Sequence, residues 1–159
     1  MSKISKGLIY VNGHEKYSFS IESSIFKNDK DKKKKFINRI ADLFHKSKIE
    51  FFVVTDYDDF MKVAYKFHSY SISYSVEDKK FSQMRIRFVT DYNKLKLMLD
   101  LFIDCDISAE VHCIDNTEND LSLALNDNDE YDVISLSNDS KNLINLINDI
   151  LNTFFGGLG

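Results

Sequence analysis

The chain is predicted to be an α+β protein, with a mixed, largely antiparallel sheet and helices packed on it, and three observations predict this. Two long segments space their apolar residues as a helix does, several short segments alternate apolar and polar residues with period two, and part of the sequence repeats at an offset of 35 residues. Together they give the order ββαβαββαβββα within a single domain, residues 1–159.

The stretches GLIYVN and KYSFSIES, around Gly13, predict an opening β-hairpin. In DKDKKKKFINRIADLFHKSK, residues Phe36, Ile37, Ile40, Ala41, Leu43 and Phe44 fall on one helical stripe, with Asp29 or Asp31 as its N-cap. EFFVVT is too short for a helix and reads as a buried strand.

The repeat begins there. Val54-Thr55-Asp56-Tyr57 recurs as Val89-Thr90-Asp91-Tyr92, Phe67 as Phe102, Ile72-Ser73 as Ile107-Ser108 and Val76 as Val111. Each copy reads strand, capping Thr or Asp, a helix of about three turns, strand. A short side-chain oxygen at the strand-to-helix joint takes a backbone N–H that would otherwise lack a partner, so Asp56 and Asp91 are expected to be structural. Between the copies, SYSISYSVEDKKFSQMRIRFVT predicts two antiparallel strands joined by a polar turn at EDKK. LSLAL and YDVISLS predict two further strands, flanked by the linkers DNTEND and NDNDE. In the closing SKNLINLINDILNTFF, residues Leu143, Ile144, Ile147, Ile150, Leu151 and Phe154 form an apolar helical face, which GGLG should terminate.

A chain of 159 residues, 43% of them hydrophobic, with 13 Phe, 8 Tyr and no Pro, can build a substantial core. No run approaches the roughly 20 apolar residues of a membrane span, and the opening MSKISKGLIYVNG lacks the apolar stretch of a signal peptide, so a cytoplasmic location is expected. Cys105 and Cys113 in apolar surroundings read as reduced core residues, although a disulfide between them is conceivable on sequence grounds.

Chemistry-bearing motifs fail on inspection. His14, His45, His68 and His112 are each isolated, which gives no zinc spacing, and no metal or cofactor is expected. The segment starting at Asp127 opens like a calcium loop, but Asp132 stands where Gly is required and Asn138 where Glu is required. Glu77-x-Lys79 at a strand end, with Asp56, Asp58 or Asp59 as companion acid, is the one constellation that could serve a metal-dependent nuclease. There is neither a nucleophile elbow nor a phosphate-binding glycine loop, and no catalytic residue is expected. The lysines of KNDKDKKKKF read as a solvated helix start and not as a specific nucleic-acid site.

Charge is the more informative feature. Residues 1–99 hold 20 Lys and Arg against 12 Asp and Glu, a net of +8, whereas residues 100–159 hold 1 against 13, a net of −12. The stretch DNTENDLSLALNDNDEYD, residues 115–132, carries seven carboxylates and no Lys or Arg. The plain reading is two solvated loops around a strand whose carboxylates keep the protein soluble; against it, seven like charges repel one another in a folded chain, so their concentration is favourable mainly when a basic partner neutralises them. A groove built to attract phosphates, on a nucleic-acid enzyme, is the natural complement. On this basis Glu118, Asp120, Asp127, Asp129, Glu130 and Asp132 are expected to form an electrostatic rim, and Tyr131 an aromatic anchor.

The opening MSKISKGLIYVNGHEKYSFSIE, the length, the Lys/Asn/Ile bias and the lack of any enzyme motif resemble the small anti-CRISPR proteins of staphylococcal phages and mobile elements that inhibit the type II-A Cas9 of Staphylococcus. The resemblance is one of type along the whole chain; it rests on no motif and transfers no residue role. It implies a non-enzymatic, stoichiometric inhibitor in the cytoplasm of a bacterial host. Such an inhibitor docks on the Cas9–guide complex, at its HNH nuclease domain, and keeps that nuclease from the target strand. The alternatives are a phage-encoded binding protein for another basic host enzyme and, behind it, a metal-dependent nuclease.

Overall fold

A strand that alternates apolar and polar residues can bury only one of its faces against a single layer of helices. The computed structural model, which describes residues 3–11, 13–44, 49–80, 82–90, 92–113, 121–127, 129–137 and 141–156, solves that problem with one eight-stranded sheet. The chain runs β1 (Ile4–Val11), β2 (His14–Glu22), α1 (Lys30–Ala41), β3 (Ile49–Asp56), α2 (Tyr57–Ser69), β4 (Tyr74–Lys80), β5 (Gln83–Thr90), α3 (Tyr92–Asp104), β6 (Ala109–Cys113), β7 (Leu121–Asp127), β8 (Tyr131–Ser137) and α4 (Lys141–Phe155). This is the order read from the sequence.

The strands lie in the order β1-β2-β8-β7-β6-β3-β5-β4, and every neighbouring pair is antiparallel. The α+β class with helices on a largely antiparallel sheet is thus as read from the sequence, and the sheet is antiparallel throughout. The reason is the interlocking of the two repeats. In the first, β3 and β4 are joined through α2, yet β5 of the second lies between them; in the second, β5 and β6 are joined through α3, and β3 of the first lies between them. Two split βαβ units thus fill each other's gap, and no parallel pair remains.

The offset of 35 residues is visible in the helix ends. Helices α2 and α3 each have 13 residues at that offset. Both stop in a Schellman motif: the Ile72 N–H donates to the Phe67 carbonyl at 2.9 Å and the Ser71 N–H to that of His68 at 3.2 Å, and Ile107 with Phe102 and Asp106 with Ile103 repeat the pattern at 3.2 Å. Ser71 and Asp106 hold the left-handed backbone this motif requires, with φ of 55° and 53°, a conformation that suits glycine better. Ser71→Gly is therefore expected to stabilise the protein by about 0.5–1 kcal/mol, read as a raised denaturant midpoint. Asp106→Gly gains less, because it also removes an ion pair with Lys30.

Other termini follow their local chemistry. The Asp29 side chain accepts from the Lys32 N–H at 3.1 Å and so is the α1 cap, while that of Asp56 accepts from the Asp59 N–H at 2.7 Å. Gly156, at φ 44°, ends α4 with its N–H on the Asn152 carbonyl. One turn moved: EDKK belongs to β4, which runs to Lys80, and β5 opens at Gln83. All seven residues of β4 are exposed at the edge of the sheet, so charged side chains can continue the strand without being buried.

Phe19, Val53, Ile86, Val111, Leu123 and Ile134 project from one sheet face and join Phe36, Ile40, Phe67, Phe102 and Ile147 of the helices in one core cluster. Ser122, Ala124, Ser135, Glu110, His112 and Phe52 alternate with the buried strand positions and line the other, open face. Cys105 is a free thiol, partly buried against the core.

Candidate functional site

The charge imbalance along the sequence is partly cancelled in space. Helix α1 packs against α3, and its lysines meet aspartates of the acidic half: Lys30 pairs with Asp106 at 3.0 Å, Lys34 with Asp104 at 2.5 Å and Lys33 with Asp132 at 3.2 Å. The Lys34–Asp104 hydrogen bond raises the lysine pKa above its ordinary value. These three lysines are ion-paired within the fold, and Lys33 at 11% exposure is not the solvated residue that the reading of KNDKDKKKKF expected.

Asp132 is the correction to the predicted rim. It is a β8 residue of zero exposure on the core side of the sheet, not a solvent-facing carboxylate. Its Oδ1 accepts from the Asn126 N–H at 3.1 Å, and its Oδ2 faces the Lys33 ammonium, itself only 11% exposed. Burial pushes the carboxyl above the ordinary aspartate range, against the opposing pull of Lys33 and the Asn126 N–H.

Asn126 organises this corner, and no sequence reading singled it out. It sits where the β7–β8 register shifts, at φ 53°, a left-handed conformation Asn tolerates. Its side-chain amide donates to the Ile107 carbonyl at 2.8 Å and its side-chain oxygen accepts from Lys33 at 3.0 Å, while its backbone carbonyl accepts from the Ser108 hydroxyl at 2.9 Å. The adjoining NDNDE segment, with Asn at a bulge before a turn, was the available signal.

Beyond Asn126 the hairpin carries the rest of the predicted site. Asp127, Asp129 and Glu130 are exposed, and Tyr131 is 38% exposed. The turn is pinned: the Asp129 N–H donates to the Asn126 carbonyl at 3.0 Å, the Glu130 N–H to that of Asp127 at 3.1 Å, and the Glu130 carbonyl accepts from the Ser23 N–H at 2.7 Å. Among the described residues, none of these three carboxylates has an ion-pair partner. Glu118 and Asp120 lie outside the described residues. The fold adds acids the sequence did not connect to the tip. Glu22 is cross-strand from Tyr131, and Asp56 and Glu110 share with Asp127 a shallow depression of about 180 Å³. Glu110 Oε2 accepts from the His112 ring Nε2–H at 3.1 Å, a contact that holds its carboxyl below the usual range.

Comparison with family models, with curated proteins and with solved structures finds no match.

Four of the five residues of the nuclease constellation have local partners. Glu77 faces Arg87 at 3.9 Å, the Lys79 ammonium lies 4.5 Å from the centre of the Tyr57 ring, Asp56 caps α2, and Asp59 accepts from the Ser108 N–H at 3.1 Å. Among the described residues no three of His, Cys, Asp and Glu are grouped as metal ligands, and no helix is long and apolar enough to cross a membrane.

Proposed function

We propose that this chain is a stoichiometric inhibitor that docks the acidic β7–β8 tip on the basic, nucleic-acid-handling surface of a bacterial enzyme. The Cas9–guide complex, through its HNH nuclease domain, is the target to which the sequence resemblance directs this reading. One observation carries it. The fold draws three aspartates of the acidic half into ion pairs with α1, yet leaves Asp127, Asp129 and Glu130 together, exposed and without an ion-pair partner among the described residues, on a hydrogen-bonded turn beside Tyr131. A rigid turn of like charge with an aromatic neighbour provides both steering and an anchor, the two components of a fast and specific contact with a basic partner.

The test is a titration of this protein into staphylococcal Cas9 loaded with guide, following target binding and target cutting in the same samples. Cutting is expected to fall to a floor near one protein per complex while DNA remains bound, as a block at the nuclease domain requires. Full cutting at large excess would remove the Cas9 reading and leave the tip to a different basic enzyme.

A further inference from the structure

The sheet has two edges, and the fold treats them differently. At one, β4 carries Glu77, Asp78, Lys79 and Lys80 and a register shift between Val76 and Asp78, which are the charges and bulge that discourage another strand from adding on. At the other, β1 keeps an unbroken register with β2 from Ile4 to Val11 and exposes Leu8 at 53%, Ile9 at 39% and Tyr10 at 75%, with Lys6 as its one charge. An edge that is long, regular and apolar is a template for strand addition.

The backbone sets the phase of that template. The Glu22 N–H donates to the Lys3 carbonyl at 2.8 Å, so odd-numbered residues of β1 bond inward to β2. Lys6, Leu8 and Tyr10 then turn their N–H and C=O groups outward. We infer that β1 is a self-association edge: two copies pair β1 with β1, antiparallel, about a twofold axis through Leu8, and so join their sheets into one. This interface is independent of the acidic tip, which belongs to the β7–β8 hairpin, whose nearer strand, β8, lies two positions further in.

The residues select both the occupant and the register. With Leu8 opposite Leu8 of the second copy, the outward-bonding residues meet one another, Lys6 facing Tyr10 of the second copy and Tyr10 facing its Lys6. No like charges oppose each other, and each ammonium is placed beside a phenol ring. On the opposite side of the ribbon Gly7 faces Ile9 of the second copy. A Cβ built on Gly7 meets nothing within 4 Å, so there is room for that side chain to lie over the glycine. A twofold axis through Gly7 would instead set two glycines side by side and leave both gaps unfilled. Because β1 complements itself, one symmetric contact covers both open edges, as a closed twofold dimer requires.

The test is sedimentation equilibrium of the full chain over a concentration series, on the wild type, Leu8→Lys and Leu8→Glu. The wild type is expected to approach twice the monomer mass of 18.5 kDa, each variant to remain monomeric, and an equimolar mixture of the two to dimerise again, because Lys and Glu then face each other across the former axis. Leu8 is half exposed, so both variants should keep the far-ultraviolet circular dichroism of the wild type. Ile9→Ser reads the same edge independently and should weaken association about tenfold. A monomeric wild type would overturn the inference. So would a dimer that survives both Leu8 variants and Ile9→Ser, or monomeric Leu8 variants whose mixture fails to pair, since the axis would then lie elsewhere.

Discussion

Replacing Asp132 with alanine is expected to lower the unfolding free energy by about 3 kcal/mol, a large share of what a domain of this size has. The Lys33 ammonium is 11% exposed and would be left without its counter-charge, and the Asn126 N–H would lose its acceptor in the core-side corner of the sheet. Lys33→Met alone should cost a similar amount, since it strands the Asp132 carboxylate. The double replacement Lys33→Met with Asp132→Val should recover most of the loss, because an apolar pair needs no compensation for desolvation. Urea midpoints of the four proteins decide the matter. Singles that each cost under about 0.5 kcal/mol would mean that the pair behaves like a surface ion pair and that the corner is wet.

The same residue sets a pH dependence whose sign follows from burial. The folded pKa of Asp132 is raised above its unfolded value, so the contribution of this group is fully present below the unfolded pKa and is lost as pH rises through the raised folded value. Asp132→Asn keeps a side-chain oxygen for the Asn126 N–H but does not titrate. The stability difference, wild type minus Asp132→Asn, should therefore shift in favour of the wild type as the solution is acidified through that window. A difference that is flat with pH, or that moves the other way, would show that Lys33 outweighs desolvation.

If the proposed docking on the Cas9–guide complex holds, neutralising the tip should act on that association and not on folding. Asp127→Lys with Glu130→Lys reverses two exposed charges, and Asp129→Asn removes a third while retaining a residue suited to its φ of 60°. The association rate constant of the triple variant is expected to fall on the order of 10- to 100-fold at low salt, and to have little of the salt dependence expected of the wild type. Tyr131→Ala should instead raise the dissociation rate, about tenfold, because it removes buried contact area rather than long-range attraction. Equal association rates for wild type and triple variant would sink the tip as the docking element while leaving inhibition by another face open to measurement.

The features that sequence reading recovered are those set by neighbours in the chain. The stripe from Phe36 to Ala41 and the one from Ile147 to Leu151 bury as their spacing requires, and Asp29 and Asp56 cap the helices they precede. The helices of the 35-residue repeat reappear with matching ends, since a Schellman motif is written within a few consecutive residues. The late turn after β4 was missed because an edge strand imposes no burial pattern, so a charged run there reads as a loop.

The site divides along the same line. Its acidity and its tyrosine were determined by composition alone, and the hairpin that presents them by period-two alternation. Which carboxylates face the solvent was decided only by the tertiary structure. Asp132 and Glu130 are two residues apart in one acidic run, yet one is buried against Lys33 from a helix 99 positions earlier and the other stands exposed beside Ser23. Strand order was likewise decided in space, because β2 and β8 pair across most of the chain and only the fit of two split βαβ units places β5 between β3 and β4. The physical reason is one of range. Helix stripes, caps and turns are settled by contacts a few residues apart, whereas the cost of burying a charge depends on which counter-charge a distant segment brings to it.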